Sequence, residues 1–465
     1  MTTSRQAVEA ALARISEVDG DLRAVCTPND AALDTADALD REAADGRSRG
    51  PLHGQPIVLK DNIDTSDLLT TAGSLALADR PPPHDAPVVE RIRAAGMVVV
   101  GKANLSEWAN IRDAASTSGW SAYGGLTRNP YGLNRSAGGS SAGSGSAVAG
   151  RLVPFAVGTE TDGSITCPAA FNGCVGIKPT VGLIPAEGIV PISHSQDTAG
   201  PMALTVHEAA QLLDVMSATD DFASHAQDGR LTGKRVGVPR AMYWGYSAAA
   251  DAAAERAVAL LAAEGAEIVD GTDLEAMAGF DDEHELIVLL SELRAGLAAY
   301  LPTRGGDGPQ TLQDVVDFNR ANDDRELAHF GQGFFEMALT MPEVGSPDYE
   351  AARAACLAKG RDEGIDRVLR EHELDALLTP AYAPAIPIDL VNPEHHWGSC
   401  TQPAAMAGYP LVTVPSDLAG GLPVAVTFWG TAGSEATLIE IAHGYESARD
   451  RKQGPLPAPT LPAFV

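Results

Sequence analysis

Positive charge is what this chain has least of. Its 33 lysines and arginines stand against 62 aspartates and glutamates, a formal net charge of −29. A field of that sign repels phosphate backbones and anionic bilayers, so neither a nucleic-acid nor a membrane partner is expected. It reads first as a solvated acidic surface, and second as an acidic mouth that draws cationic substrates. Cysteine is also scarce. The five residues Cys26, Cys167, Cys174, Cys356 and Cys400 are odd in number and form no Cys-x-x-Cys pair. That excludes a disulfide framework and a zinc site, and it fits a reducing compartment. No run of about 18 apolar residues occurs, and the opening MTTSRQAV lacks the apolar core of a signal peptide. A cytoplasmic protein is therefore expected. Neither Gly-x-x-x-x-Gly-Lys-Ser/Thr nor Gly-x-Gly-x-x-Gly is present, so the two common phosphate-cradling loops are missing.

What remains is globular: 45% apolar and 20% charged residues over 465 positions, ample for a large core. Helical spacing marks 7–18, and PIVL at 56–59 reads as a buried strand. Asp85 is placed to cap a helix carrying Val88, Val89 and Ile92, with Gly96 as its stop and a strand at 97–100. That is a βαβ unit. A further strand is expected at 152–157, and a second strand–helix–strand passage at 235–239, 248–264 and 267–269. Strand character returns at 375–379, 411–414 and 424–428. The expected fold is a single α/β domain over 1–465. Its central mixed, largely parallel sheet is covered by helices on both faces, and 280–370 forms a helical elaboration.

Three segments bear chemistry. Lys60 ends the strand PIVLK. Most such lysines are solvated, but strand ends beside a crevice deliver functional groups, and burial there lowers a lysine pKa towards the range of a base. Ser140 lies in SAGGSSAGSG at 136–145, a loop flanked by ordered patterns and therefore not a linker. Its Gly139-Ser-Ser-Ala-Gly143 fits a nucleophile elbow, yet no strand leads into it, as an elbow requires. Ser164 lies in Gly158-Thr-Glu-Thr-Asp-Gly-Ser-Ile165, a turn following a strand where backbone N–H groups converge.

Together these segments resemble the amidase signature family. The resemblance rests on PIVLKDN at 56–62, NPYGLNRSAGGSSAGSGSAVA at 129–149 and GTETDGSITCPAAFNGCVGIKPTVGL at 158–183. It continues with DTAGPM at 197–202, DALLTP at 375–380, AGYPLVTVP from 407 and GGLPVAV to 426, in order along the chain. It implies an amide hydrolase with a Ser-Ser-Lys triad and no cofactor or metal. Lys60 is then the base, Ser140 a bridging serine on a cis peptide bond, and Ser164 the nucleophile that carries the acyl group. The N–H groups of Thr161, Asp162, Gly163 and Ser164 become the oxyanion hole. Gly139, Ser141, His194 and Trp397 are candidate substrate contacts.

Two letters depart from the family pattern. Asp162 replaces a glycine beside the oxyanion hole, so its carboxylate is expected to turn towards a partner elsewhere. Thr166 stands where relatives often have arginine. These departures, with PISHSQDTAGP at 191–201, are most similar to the peptide amidase branch, which removes the terminal carboxamide of peptides. The alternatives are a glutaminase component of a tRNA amidotransferase and an inactive binding protein on the same fold. A Ser-His-Asp hydrolase would need His53, His194 or His443, none of which lies in a suitable motif. The substrate is then a small-molecule or peptide amide, and the assembly a monomer or homodimer.

Overall fold

The alternation of one short strand decides where Lys60 points. In Pro56–Lys60 every residue is buried, and successive side chains face opposite sides of a sheet. Ile57 and Leu59 join the core on one face, whereas Val58 belongs to the core on the other. Lys60 shares the parity of Val58. It therefore faces the layer built by the helices Ala142–Ala149 and Thr166–Asn172, which place Ala147, Val148 and Ala169 in that same core.

The computed structural model describes residues 2–218, 221–227, 231–394 and 398–461. Eleven strands form one sheet. From one edge they run Val25–Pro28, Val98–Ala103, Pro56–Lys60, Phe155–Glu160, Thr198–Ala203 and Val175–Lys178. They continue with Leu411–Ala419, Leu422–Trp429, Ala376–Pro380, Arg235–Val238 and Glu267–Asp270. The expected βαβ unit is there: 56–60 and 98–103 pair in parallel, joined through the helix Pro87–Ala94. The sheet is mixed, but not largely parallel as expected. Parallel pairs flank a middle in which every neighbour from 155–160 to 376–380 is antiparallel. The hairpin 411–419/422–429 supplies one reversal through its short connection, and strand 198–203 returns by a longer loop to run antiparallel to both its neighbours.

Helices cover both faces. Val206–Ser217, Ala248–Ala263 and Glu435–Gln453 pack Leu213, Leu261 and Ile441 on the face of Leu59. Ser4–Leu22 packs Val8 and Leu22 on the face of Val58. Among the described residues, 282–371 contribute helices and no strand. Asp282–Arg304, alone among the described residues, has the length and mean hydropathy of a membrane crossing, yet it sends Val288, Leu290, Leu293 and Leu297 into the protein's own core.

Two boundaries differ from expectation. The strand expected at 152–157 begins at Phe155, after Pro154, which has no N–H for a ladder. Asp85 does not cap the helix Pro87–Ala94, whose cap residue is Ala86. Its carboxylate instead accepts the Ser66 N–H and hydroxyl at 2.6 and 2.9 Å.

Candidate active site

Lys60, Ser140 and Ser164 come together from three elements: a strand end, the loop before the helix Ala142–Ala149, and the turn before the helix Thr166–Asn172. Lys60 Nζ lies 2.8 Å from Ser140 Oγ, 2.8 Å from Thr159 Oγ1 and 3.1 Å from the Thr159 carbonyl. Lys60 and Ser140 are 0% exposed, while Ser164 is 7% exposed and alone of the three lines an open cavity. The Ser141 N–H donates to the Ser164 carbonyl at 3.0 Å and clamps the two serine segments together. The Gly139–Ser140 peptide bond is cis. Among the described residues the Ser164 hydroxyl makes no hydrogen bond, so it is free to turn.

Burial lowers the Lys60 pKa from its ordinary value to about 7, against the attraction of Asp197 and Glu160, which raise it. A neutral amine has two N–H donors and one lone pair. The Thr159 carbonyl can only accept, and Thr159 Oγ1 also receives the Asn62 amide at 3.0 Å. When both N–H groups point to Thr159, the lone pair is left for the Ser140 hydroxyl, 2.8 Å away.

The turn at 161–164 is held from behind. Glu160 Oε2 accepts the N–H groups of Ile165 and Thr166 at 2.7 and 2.8 Å, and the Thr166 hydroxyl at 3.1 Å. It thereby caps the short helix whose own cap residue, Ile165, offers no acceptor. Asp197 accepts the Thr161 hydroxyl at 2.6 Å and the N–H groups of Ile192 and Ser193 at 2.8 and 2.9 Å. Asp162 and Thr401 line the same cavity as Ser164, and the Asp162 carboxylate accepts the Thr401 hydroxyl. Burial and the nearby Glu160 raise its pKa, and burial raises that of Glu285 together with Asp162. Gly163 has φ +78°, and a Cβ there would lie 2.5 Å from the Tyr382 hydroxyl, so only glycine fits. Among the described residues the N–H groups of Asp162, Gly163 and Ser164 have no acceptor, which leaves them available to a developing oxyanion.

The cavity over Ser164 encloses about 360 Å³, with Gly139, Cys167, Tyr382 and Thr401 on its wall. Two expected contacts do not line this cavity. The Ser141 hydroxyl is fully buried, bonded to the Thr159 carbonyl at 3.0 Å and receiving its N–H at 3.2 Å, so it clamps the strand and does not reach the cavity. His194 lines a neighbouring cavity, with Nδ1 3.3 Å from Glu292. Trp397 lies outside the described residues. Burial pushes the Cys167 thiol up to about 12, which leaves no thiolate beside Ser164. Among the described residues no cluster of His, Cys, Asp and Glu is arranged to hold a metal ion.

A model of the Amidase family matches residues 6–439. The chain belongs to the amidase family. This amidase is 36% identical to a probable amidase of Arabidopsis thaliana, over 96% of this chain and 87% of that one. It is 34% identical to a putative amidase of Arthroderma benhamiae, over 94% and 78%. The crystal structure of a peptide amidase from Stenotrophomonas maltophilia superposes with a TM-score of 0.91 at 43% identity, covering 97% and 95%. The chain is an amide hydrolase on a mixed α/β fold. Thr159, Asp197 and Thr401 were not singled out from the sequence, although Asp197 opens one of the matched segments.

Proposed function

We propose that this amidase removes the terminal carboxamide of peptides through an acyl-enzyme on Ser164. The observation that carries the reading is the fully buried Lys60 amine, with a pKa near 7 and its Nζ 2.8 Å from Ser140 Oγ. Neutral Lys60 takes the Ser140 proton, and Ser140 takes the proton of Ser164 as Ser164 Oγ attacks the amide carbon. The N–H groups of residues 161–164 receive the oxyanion. Reversal of the relay protonates the departing ammonia, and water then releases the acid by the same route.

The peptide substrate is supported by the 43% identity to a peptide amidase over nearly the whole chain. Specificity constants for a panel of peptide amides, aryl amides and glutamine test it. Peptide amides are expected to lead the panel by about tenfold or more. Efficient glutamine hydrolysis without peptide amide turnover overturns the reading in favour of a glutaminase.

A further inference from the structure

Behind the oxyanion turn lies a second cavity of about 400 Å³, which shares Ala109, Thr161 and Ile192 with the cavity over the nucleophile. Its polar wall sets carboxylates beside threonine hydroxyls and two histidines. Asn62 is 3% exposed, and its Nδ2 donates to Thr159, yet its Oδ1 has no partner among the described residues. Asp64 is 6% exposed, and its Oδ1 accepts the Tyr300 hydroxyl at 2.7 Å. Its Oδ2 accepts nothing among the described residues. Unmet buried acceptors cost free energy until a donor arrives.

The cations near Asp64 make further bonds of their own, and Arg304 approaches it on the Oδ1 side: Arg304 Nη1 also donates to the Tyr300 hydroxyl at 3.3 Å. Arg304 donates to the carbonyls of Leu77 and Arg80 at 2.9 and 3.2 Å and stays 4.0 Å from Asp64. Lys102 donates to the carbonyls of Ile63 and Leu69 at 2.7 and 3.1 Å. Among the described residues no lysine or arginine lines the cavity, whereas Asp85, Glu187 and Asp197 do. His84 and His194 stand on the same wall. The remaining wall is apolar, with Ile189, Val190 and Ala299 among its residues.

We propose that this cavity is a subsite for an ammonium or guanidinium group of the substrate. Asp64 Oδ2 receives its N–H donors, and its methylene stem lies along Ile189 and Val190. The assignment rests on the reading that peptide amides are the substrates. The cation is either a lysine or arginine side chain or the free α-ammonium of a short peptide.

Two sets of specificity constants separate these sources. One compares N-acetylated peptide amides bearing lysine or norleucine at the last or the preceding residue; the other compares the same peptides with free and acetylated amino termini. A cationic preference of about tenfold or more in either set is expected, falling to near unity in Asp64→Asn. No preference in either set, or a preference that survives Asp64→Asn, overturns the subsite. If Asp64→Asn does not fold, competition in the unaltered protein decides. Hexylammonium should inhibit hydrolysis of a neutral amide about tenfold more strongly than 1-hexanol, and equal potency overturns the subsite. If peptide amides are not cleaved, the substrate reading falls, and the hexylammonium comparison on a neutral aryl amide still decides the subsite.

Discussion

At the scale of single residues, the proposed chemistry turns on which atom of Lys60 meets Ser140. Burial lowers the amine to about 7, and Thr159 holds it by two contacts. Because the folded pKa lies near 7, the active neutral form is lost as pH falls below it. The kcat/KM profile should therefore rise about tenfold per pH unit on the acid side and level off above about pH 7. Lys60→Met, close in volume and without a basic nitrogen, should lower kcat/KM by about 10³-fold and abolish that limb. A profile in Lys60→Met that keeps the same limb would assign it to another group. The sequence singled out Lys60, Ser140 and Ser164, which the fold brings together, because each stands in a distinctive local segment. Their supports were not legible there: Thr401 meets Asp162 across 239 positions, and Asp197 meets Thr161 across 36. Such partners are chosen by the packing of the sheet and its helices, and no local pattern announces them.

Among the elements, the two short helices behind the serines must sit unusually close to their neighbours. In Ala142–Ala149 every residue is buried, and a Cβ on Gly143 would lie 2.3 Å from the Ala24 carbonyl oxygen and 2.5 Å from that of Asn104. Both contacts are to backbone, which cannot swing aside. Gly143→Ala should therefore lower stability by about 3 kcal/mol, read from urea unfolding. An unchanged midpoint would show that the helix has room to move. The sequence placed most strands within a few residues, because their apolar runs are short and bounded. It overstated parallel pairing, since the partner of each strand depends on how the chain returns. The strands 198–203 and 422–429 carry no sign of their direction. Glu160 acquires its meaning only as the cap of the helix Thr166–Asn172.

For the whole molecule, the excess of carboxylates sets the response to pH. Burial raises Asp64 and Asp197 to about 6 and Glu446 to about 7, all above their ordinary values. Between about pH 4 and 7 the folded form thus holds more protons than the unfolded chain, and stability falls as pH rises through that window. Self-repulsion from a net charge of −29 acts in the same direction. Lys60 and Lys178, lowered to about 7 and about 8, restore stability only at higher pH, up to their ordinary value. Calorimetry at constant ionic strength should give a Tm about 5 °C or more higher at pH 5 than at pH 7.5. A higher Tm at pH 7.5 would contradict this balance.

The central claim is that Ser164 carries the acyl group, with Cys167 on the same cavity wall as the competing nucleophile. Mass spectrometry of protein acid-quenched during turnover of a peptide amide, followed by digestion, locates the adduct. The account predicts an added mass equal to the substrate less ammonia, confined to Ser164 and absent from Ser164→Ala. An adduct on Cys167, or undiminished turnover by Ser164→Ala, would contradict it.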